Sequence, residues 1–134
     1  MHLLLVSKGF YTVYAVAKSR ERCELLEFLE GLGQTLQKDS DRMLALLGRV
    51  AMEGPPRNTE ISHQIKGKLF EFIQGRLRVL WFYDEGRLII CTSGFVKKGR
   101  KTPRSEIEHA LQVMNEYFTD KKRGEIRICE EERI

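Results

Sequence analysis

Long hydrophobic runs are missing from this 134-residue chain. Its most apolar opening, Met1-His2-Leu3-Leu4-Leu5-Val6, is broken by Ser7-Lys8-Gly9, far short of the ~20 apolar residues a bilayer span needs. Ala15-Val16-Ala17 has the form of a signal-cleavage site, but no basic region or continuous apolar segment precedes it, so a cytoplasmic protein is expected. Cysteine is scarce too. Cys23, Cys91 and Cys129 are odd in number, far apart and form no Cys-x-x-Cys pair, which argues against a disulfide framework and against zinc. His2, His63 and His109 are equally scattered, and no metal or cofactor is expected. Repeats, low-complexity tracts and interdomain linkers are absent as well. Residues 1–134 therefore read as one domain, with 1–10 either an ordered strand extension or a dispensable leader, and 121–134 an edge strand or a tail.

What is present is positive charge, and it is concentrated. From Ser62 to Arg104 the chain carries Lys66, Lys68, Arg76, Arg78, Arg87, Lys97, Lys98, Arg100, Lys101 and Arg104 against Glu71, Asp84 and Glu85, while the whole chain has a net charge of only +4. The rest of the molecule is therefore acidic. A focused positive field of this kind attracts a polyanion, of which nucleic acid is the obvious candidate.

Hydrophobic spacing supplies the elements. Tyr11 to Ala17 is apolar and partly β-branched, a first strand. Ser19 is a candidate cap for a helix whose Leu25, Phe28, Leu29 and Leu32 fall at helical spacing, closed by Gly31 and Gly33. A second helix carries Met43, Leu46, Leu47 and Val50 and ends at Gly54-Pro55-Pro56. These stripes read as core, with no function assigned. Leu69–Ile73, Arg76–Tyr83 and Arg87–Phe95 follow as strands separated by Gln74-Gly75 and Asp84-Glu85-Gly86, both suited to hairpin turns. Thr102 at the cap and Pro103 at the first position open a third helix, packed through Ile107, Ala110, Leu111, Met114 and Phe118. Glu125 to Cys129 alternates weakly.

The short Gln74-Gly75 loop predicts that Ile73 faces Arg76, Phe72 faces Leu77 and Glu71 faces Arg78. Phe70, Phe72, Leu77, Val79, Trp81 and Tyr83 then share the face packed on the helices, and Glu71, Arg76 and Arg78 share the other, which is left open. A one-residue slip would bury two arginines and a glutamate, so parity is strongly specified. The second turn leaves two alternatives: a two-residue loop aligns Lys97 with Arg78, and a three-residue loop aligns Lys98.

Lys66-Gly67-Lys68-Leu69-Phe70-Glu71, Leu77-Arg78-Val79-Leu80-Trp81, Gly94-Phe95-Val96-Lys97-Lys98 and Lys101-Thr102-Pro103 together resemble the phage-derived HigB-type branch of the RelE toxin superfamily. The resemblance runs from about Tyr11 to Phe118. It implies an α+β, RelE-like fold: an antiparallel sheet with an N-terminal helical hairpin and a C-terminal helix packed on one face, leaving a basic open face. It also implies a toxin of a type II toxin–antitoxin system, a ribosome-dependent mRNA endonuclease. Implied partners are mRNA in the 30S A site and a small helix-turn-helix, HigA-like antitoxin, with no membrane. Arg78 and Lys98 fall at positions of basic residues that contact the scissile phosphate. Two places depart from the family pattern: Ile73 stands where an arginine is common, and Leu77 where an aromatic is common.

Attack by a ribose 2′-hydroxyl on phosphorus needs a proton acceptor, neutralisation of a more negative phosphate and a proton donor. Arginine suits the second task because its fork binds two phosphate oxygens. Glu71 is the expected base and Lys98 the expected acid, since no histidine is expected on this face. Lys66, Lys68, Arg76, Lys97, Arg100 and Lys101 read as RNA-backbone contacts. The competing reading makes Glu71 and Arg78 a plain cross-strand ion pair, in a non-catalytic RNA- or protein-binding module of phage origin. His63 and His109 read as polar or boundary residues, Trp81 and Tyr83 as core, and Cys91 as buried packing.

Overall fold

The computed structural model describes residues 1–130 and builds them around one seven-stranded sheet. In chain order the elements are β1 (His2–Lys8), β2 (Thr12–Ala17), α1 (Glu24–Glu30), a 3₁₀ turn (Gln34–Leu36), α2 (Gln37–Glu53), β3 (Ser62–Lys66), β4 (Leu69–Gln74), β5 (Leu77–Asp84), β6 (Leu88–Val96), α3 (Arg104–Lys122) and β7 (Arg127–Cys129). Across the sheet the order is β3-β4-β5-β6-β2-β1-β7. The class is α+β, as expected. The sheet, however, is mixed rather than antiparallel, because β2 runs parallel to β6 and β7 parallel to β1. Such pairings need long crossovers; two helices and three strands separate β2 from β6, and α3 lies between β6 and β7.

The helices do not share a face. α1 and α2 place Leu25, Leu29, Met43, Leu46, Leu47 and Val50 against Val79, Trp81, Ile89 and Cys91. α3 covers the opposite face, with Tyr117, Met114 and Phe118 on Leu3, Leu5, Phe82 and Ile90, and Ala110, Ile107 and Leu111 on Leu69, Leu80 and Phe95. The expected open basic face over the sheet is therefore absent. The cause lies in the strands: Leu3-Leu4-Leu5-Val6, Leu80-Trp81-Phe82 and Ile89-Ile90-Cys91 are buried on both sides, and near-continuous apolar runs of that kind require a second layer. Within Met1 to Phe10, strand β1 pairs with both β2 and β7. Glu125 to Cys129 does end in an edge strand, and residues 131–134 of the expected tail lie outside the described residues.

Two expected caps are replaced. α1 starts at Glu24 rather than after Ser19, whose hydroxyl accepts a bond from the Glu21 amide at 3.3 Å. α3 starts at Arg104 behind Pro103, and Thr102 has another partner, given below. At its far end α3 is fixed to the sheet by Asp84, which accepts bonds from the Tyr117 hydroxyl and from Lys121. Burial pushes the Asp84 carboxyl up, but those two bonds and the Glu85 amide outweigh it and hold it below the ordinary carboxylate range.

Gly94 on β6 is where α1 comes closest. A Cβ there would sit 2.7 Å from the Phe28 ring and 3.1 Å from Leu25. Gly94→Ala should therefore overpack the interface and lower stability by about 1–3 kcal/mol, read as a lower urea midpoint at unchanged slope. An unchanged midpoint would show that α1 floats free of the sheet. Among the described residues, no helix is long and apolar enough to cross a membrane.

Candidate nucleic-acid interface

The β4–β5 turn sets the geometry. Gln74 pairs with Leu77, so the loop is Gly75-Arg76, one residue later than expected. Gly75 takes φ +57°, a left-handed backbone that glycine adopts without cost, and it lies directly over the Asp39 carboxylate of α2. The pairing slides by two: Arg78 opposes Ile73, and Glu71 opposes Leu80. A slide of two preserves parity. Phe70, Phe72, Leu77, Val79 and Trp81 therefore keep the α1–α2 face, although Tyr83 at the strand end is 43% exposed rather than core. Glu71 and Arg78 share the α3 face as diagonal neighbours, within reach of long side chains.

Whether Lys97 or Lys98 joins them is decided by a bulge. The β5–β6 loop has three residues, with Asp84 paired to Leu88, which by itself aligns even positions. The register then shifts between Leu80 and Trp81, leaving Thr92 unpaired, so that Leu80 faces Ser93 and Arg78 faces Phe95. The bulge is stabilised because the Thr92 hydroxyl donates to the Leu80 carbonyl at 3.0 Å. Odd positions win: the Lys97 amide donates to the Arg76 carbonyl at 2.8 Å, extending the ladder on the Arg78 side.

Glu71 is the centre of the cluster and is fully buried. Its Oε2 accepts a 2.7 Å bond from the Thr102 hydroxyl, which ties the approach to α3 onto β4. Its Oε1 lies 3.6 Å from Arg78 Nε and 3.2 Å from His63 Nε2, ion-pair contacts without hydrogen-bond alignment. Arg78 Nη1 donates to the carbonyls of Gly75 at 2.8 Å and Leu77 at 2.9 Å. Its side chain is only 11% exposed. Burial lowers the pKa of the Arg78 guanidinium, and the Glu71 charge works in the opposite direction.

The other expected contacts fall in two places. Lys97, Lys98, Arg100 and Lys101 lie on the loop from β6 to Thr102, and their side chains form no ion pair or hydrogen bond with another described residue. Arg76 sits in the β4–β5 turn beside them. Lys66 and Lys68 flank Gly67 at the opposite end of β4, in the β3–β4 turn, away from the cluster. His63 corrects an expectation, since it joins Glu71 on the face where no histidine was expected. Its strand, β3, is polar at His63, Gln64 and Lys66. The signal that would have found it is Gly67 between two lysines, a hairpin turn directly before Leu69.

A cleft of about 700 Å³ lies elsewhere, between α1 and α3, over the end of β2 and the Thr92 bulge. It carries Glu24, Glu27, Glu116 and Asp120 against Lys18 and Arg22, the wrong sign for a polyanion. The basic loop at the sheet corner is the better candidate.

The profile of the phage-derived Gp49-like proteins (DUF891) matches residues 27–115. The chain belongs to that family. Gp49-like proteins are part of the RelE/HigB-like toxin–antitoxin group. The matched span contains His63, Glu71, Arg78, Thr102 and the basic loop, while β1, β2 and β7 lie outside it. A search of curated proteins found no match.

Proposed function

We propose that this Gp49-like protein is a type II toxin that cleaves mRNA on the ribosome. The observation that carries this reading is the basic loop, Lys97 to Lys101, unpaired among the described residues and joined through Thr102 to the buried Glu71–Arg78 pair. In the reaction the 2′-hydroxyl gives its proton to water and its oxygen bonds to phosphorus, while the bond to the 5′-oxygen breaks and that oxygen takes a proton from Lys98, leaving a 2′,3′-cyclic phosphate and a 5′-hydroxyl. Arg78 and Lys97, which the register sets on the same side of the sheet, stabilise the charge that builds on the phosphate, where one well-placed donor contributes roughly 3 kcal/mol. Arg100, Lys101 and Arg76 hold the flanking backbone, and Lys66 and Lys68 a more distant stretch. Glu71 is too deeply buried to take the 2′-proton, so its part changes from base to positioning carboxylate. The proposed setting is the cytoplasm, with mRNA in the 30S A site and a helix-turn-helix antitoxin as partners.

A second reading has its own support. Arg78 Nη1 is committed to two carbonyls, as in a structural ion pair, which fits a binding module without catalysis. Induced expression distinguishes the two. Growth arrest with cleaved transcripts, relieved by a helix-turn-helix protein encoded beside this chain, is the expected result. A harmless protein that still binds RNA would leave only the binding module.

A further inference from the structure

His63 lies between two acceptors. Its Nδ1 lies 3.0 Å from the Thr59 carbonyl, which can only accept, so Nδ1 carries a hydrogen. Its Nε2 lies 3.2 Å from Glu71 Oε1. The contact lacks hydrogen-bond alignment, but a neutral ring so placed would set a lone pair toward a carboxylate, whereas an imidazolium sets a positive charge and a second N–H there. The ring is one-third exposed, so protons reach it, while Glu71 behind it is closed off. The charged groups around it are Glu71 from β4 and, across that carboxylate, Arg78 from β5. The approach to α3 adds the neutral Thr102 hydroxyl, and Glu60 and Lys66 near its own strand are exposed.

We propose that His63 is a positioning residue whose proton sets the anion affinity of the Arg78 corner. With the imidazolium present, one buried carboxylate is shared between two cations, and the cluster carries a positive charge toward the basic loop. When the proton leaves, Glu71 belongs to Arg78 alone; the pair closes to neutral and the arginine is withdrawn from phosphate. This inference rests on reading the corner as a polyanion site, but it requires neither a ribosome nor catalysis.

The test is binding of a short single-stranded RNA by the full chain at constant ionic strength, across the range of about pH 5 to 8 in which histidines titrate. Wild-type affinity should fall on the order of tenfold as pH rises, the effect of one nearby charge weakened by screening. His63→Gln should bind weakly with no slope, and His63→Lys tightly with no slope. Linkage gives a second readout on the wild type alone: bound RNA must move the NMR titration midpoint of the His63 ring upward. A pH slope that survives His63→Gln, or a midpoint unmoved by RNA, overturns the inference. Absence of RNA binding at every pH overturns both it and the polyanion site. Binding with the expected slope but no ribosomal cleavage retires the nuclease reading alone.

Discussion

Arg78→Ala should lower ribosome-dependent mRNA cleavage about a hundredfold or more, the usual loss when one fixed donor to a developing oxyanion is removed. Arg78→Lys should recover little of it, because an ammonium cannot reproduce a planar fork already anchored through Nη1 to Gly75 and Leu77. Transcript-end mapping on purified ribosomes measures both. The control is a circular dichroism melt, since Arg78 also stabilises the β4–β5 turn. Cleavage that persists at the wild-type rate in a folded Arg78→Ala protein would end the nuclease assignment and leave the binding module.

The largest expected effect on stability belongs to Glu71→Gln. The amide keeps an acceptor for the Thr102 hydroxyl but removes the only carboxylate recorded beside Arg78 and His63 among the described residues. Breaking one side of a buried pair leaves an uncompensated charge, and a loss of about 3–5 kcal/mol in urea unfolding is expected. Adding Arg78→Gln should return part of that loss, because the double variant no longer buries a lone guanidinium. The difference between the double variant and the two singles then gives the coupling energy. If Glu71→Gln unfolds at the wild-type midpoint, the cluster is a surface ion pair and its place at the centre of the corner is wrong.

The sequence made some of this legible and hid the rest for physical reasons. Side-chain parity along β4 and β5 was readable because it depends only on the period of two; the true pairing slid by two residues and left every face assignment unchanged. The Thr92 bulge was not readable. Threonine is an ordinary strand residue, and nothing local shows that it is unpaired, so the choice between Lys97 and Lys98 stayed open until the register was known. The second helical layer is legible in the strands themselves. Leu80 and Phe82 interleave with Val79 and Trp81, and a strand open to water on one side does not read that way. His63 was hidden because an edge strand with polar residues lacks the hydrophobic pattern by which strands are recognised. The assignments of Arg78 and Lys98 to phosphate came from family resemblance rather than from any pattern in the residues.

The placement of α3 constrains how a long polymer can dock. With helices on both broad sides of the sheet, no flat platform is left on which a strand of nucleotides could lie. The cations nearest the Glu71–Arg78 pair project from a loop rounding one corner, where β4 turns into β5 and β6 ends. A threadlike partner touching that corner meets it at a point and then diverges from the surface in both directions. Grip at that corner is therefore confined to a few consecutive phosphates, and the remainder of the thread is left to more distant contacts such as the Lys66–Lys68 turn.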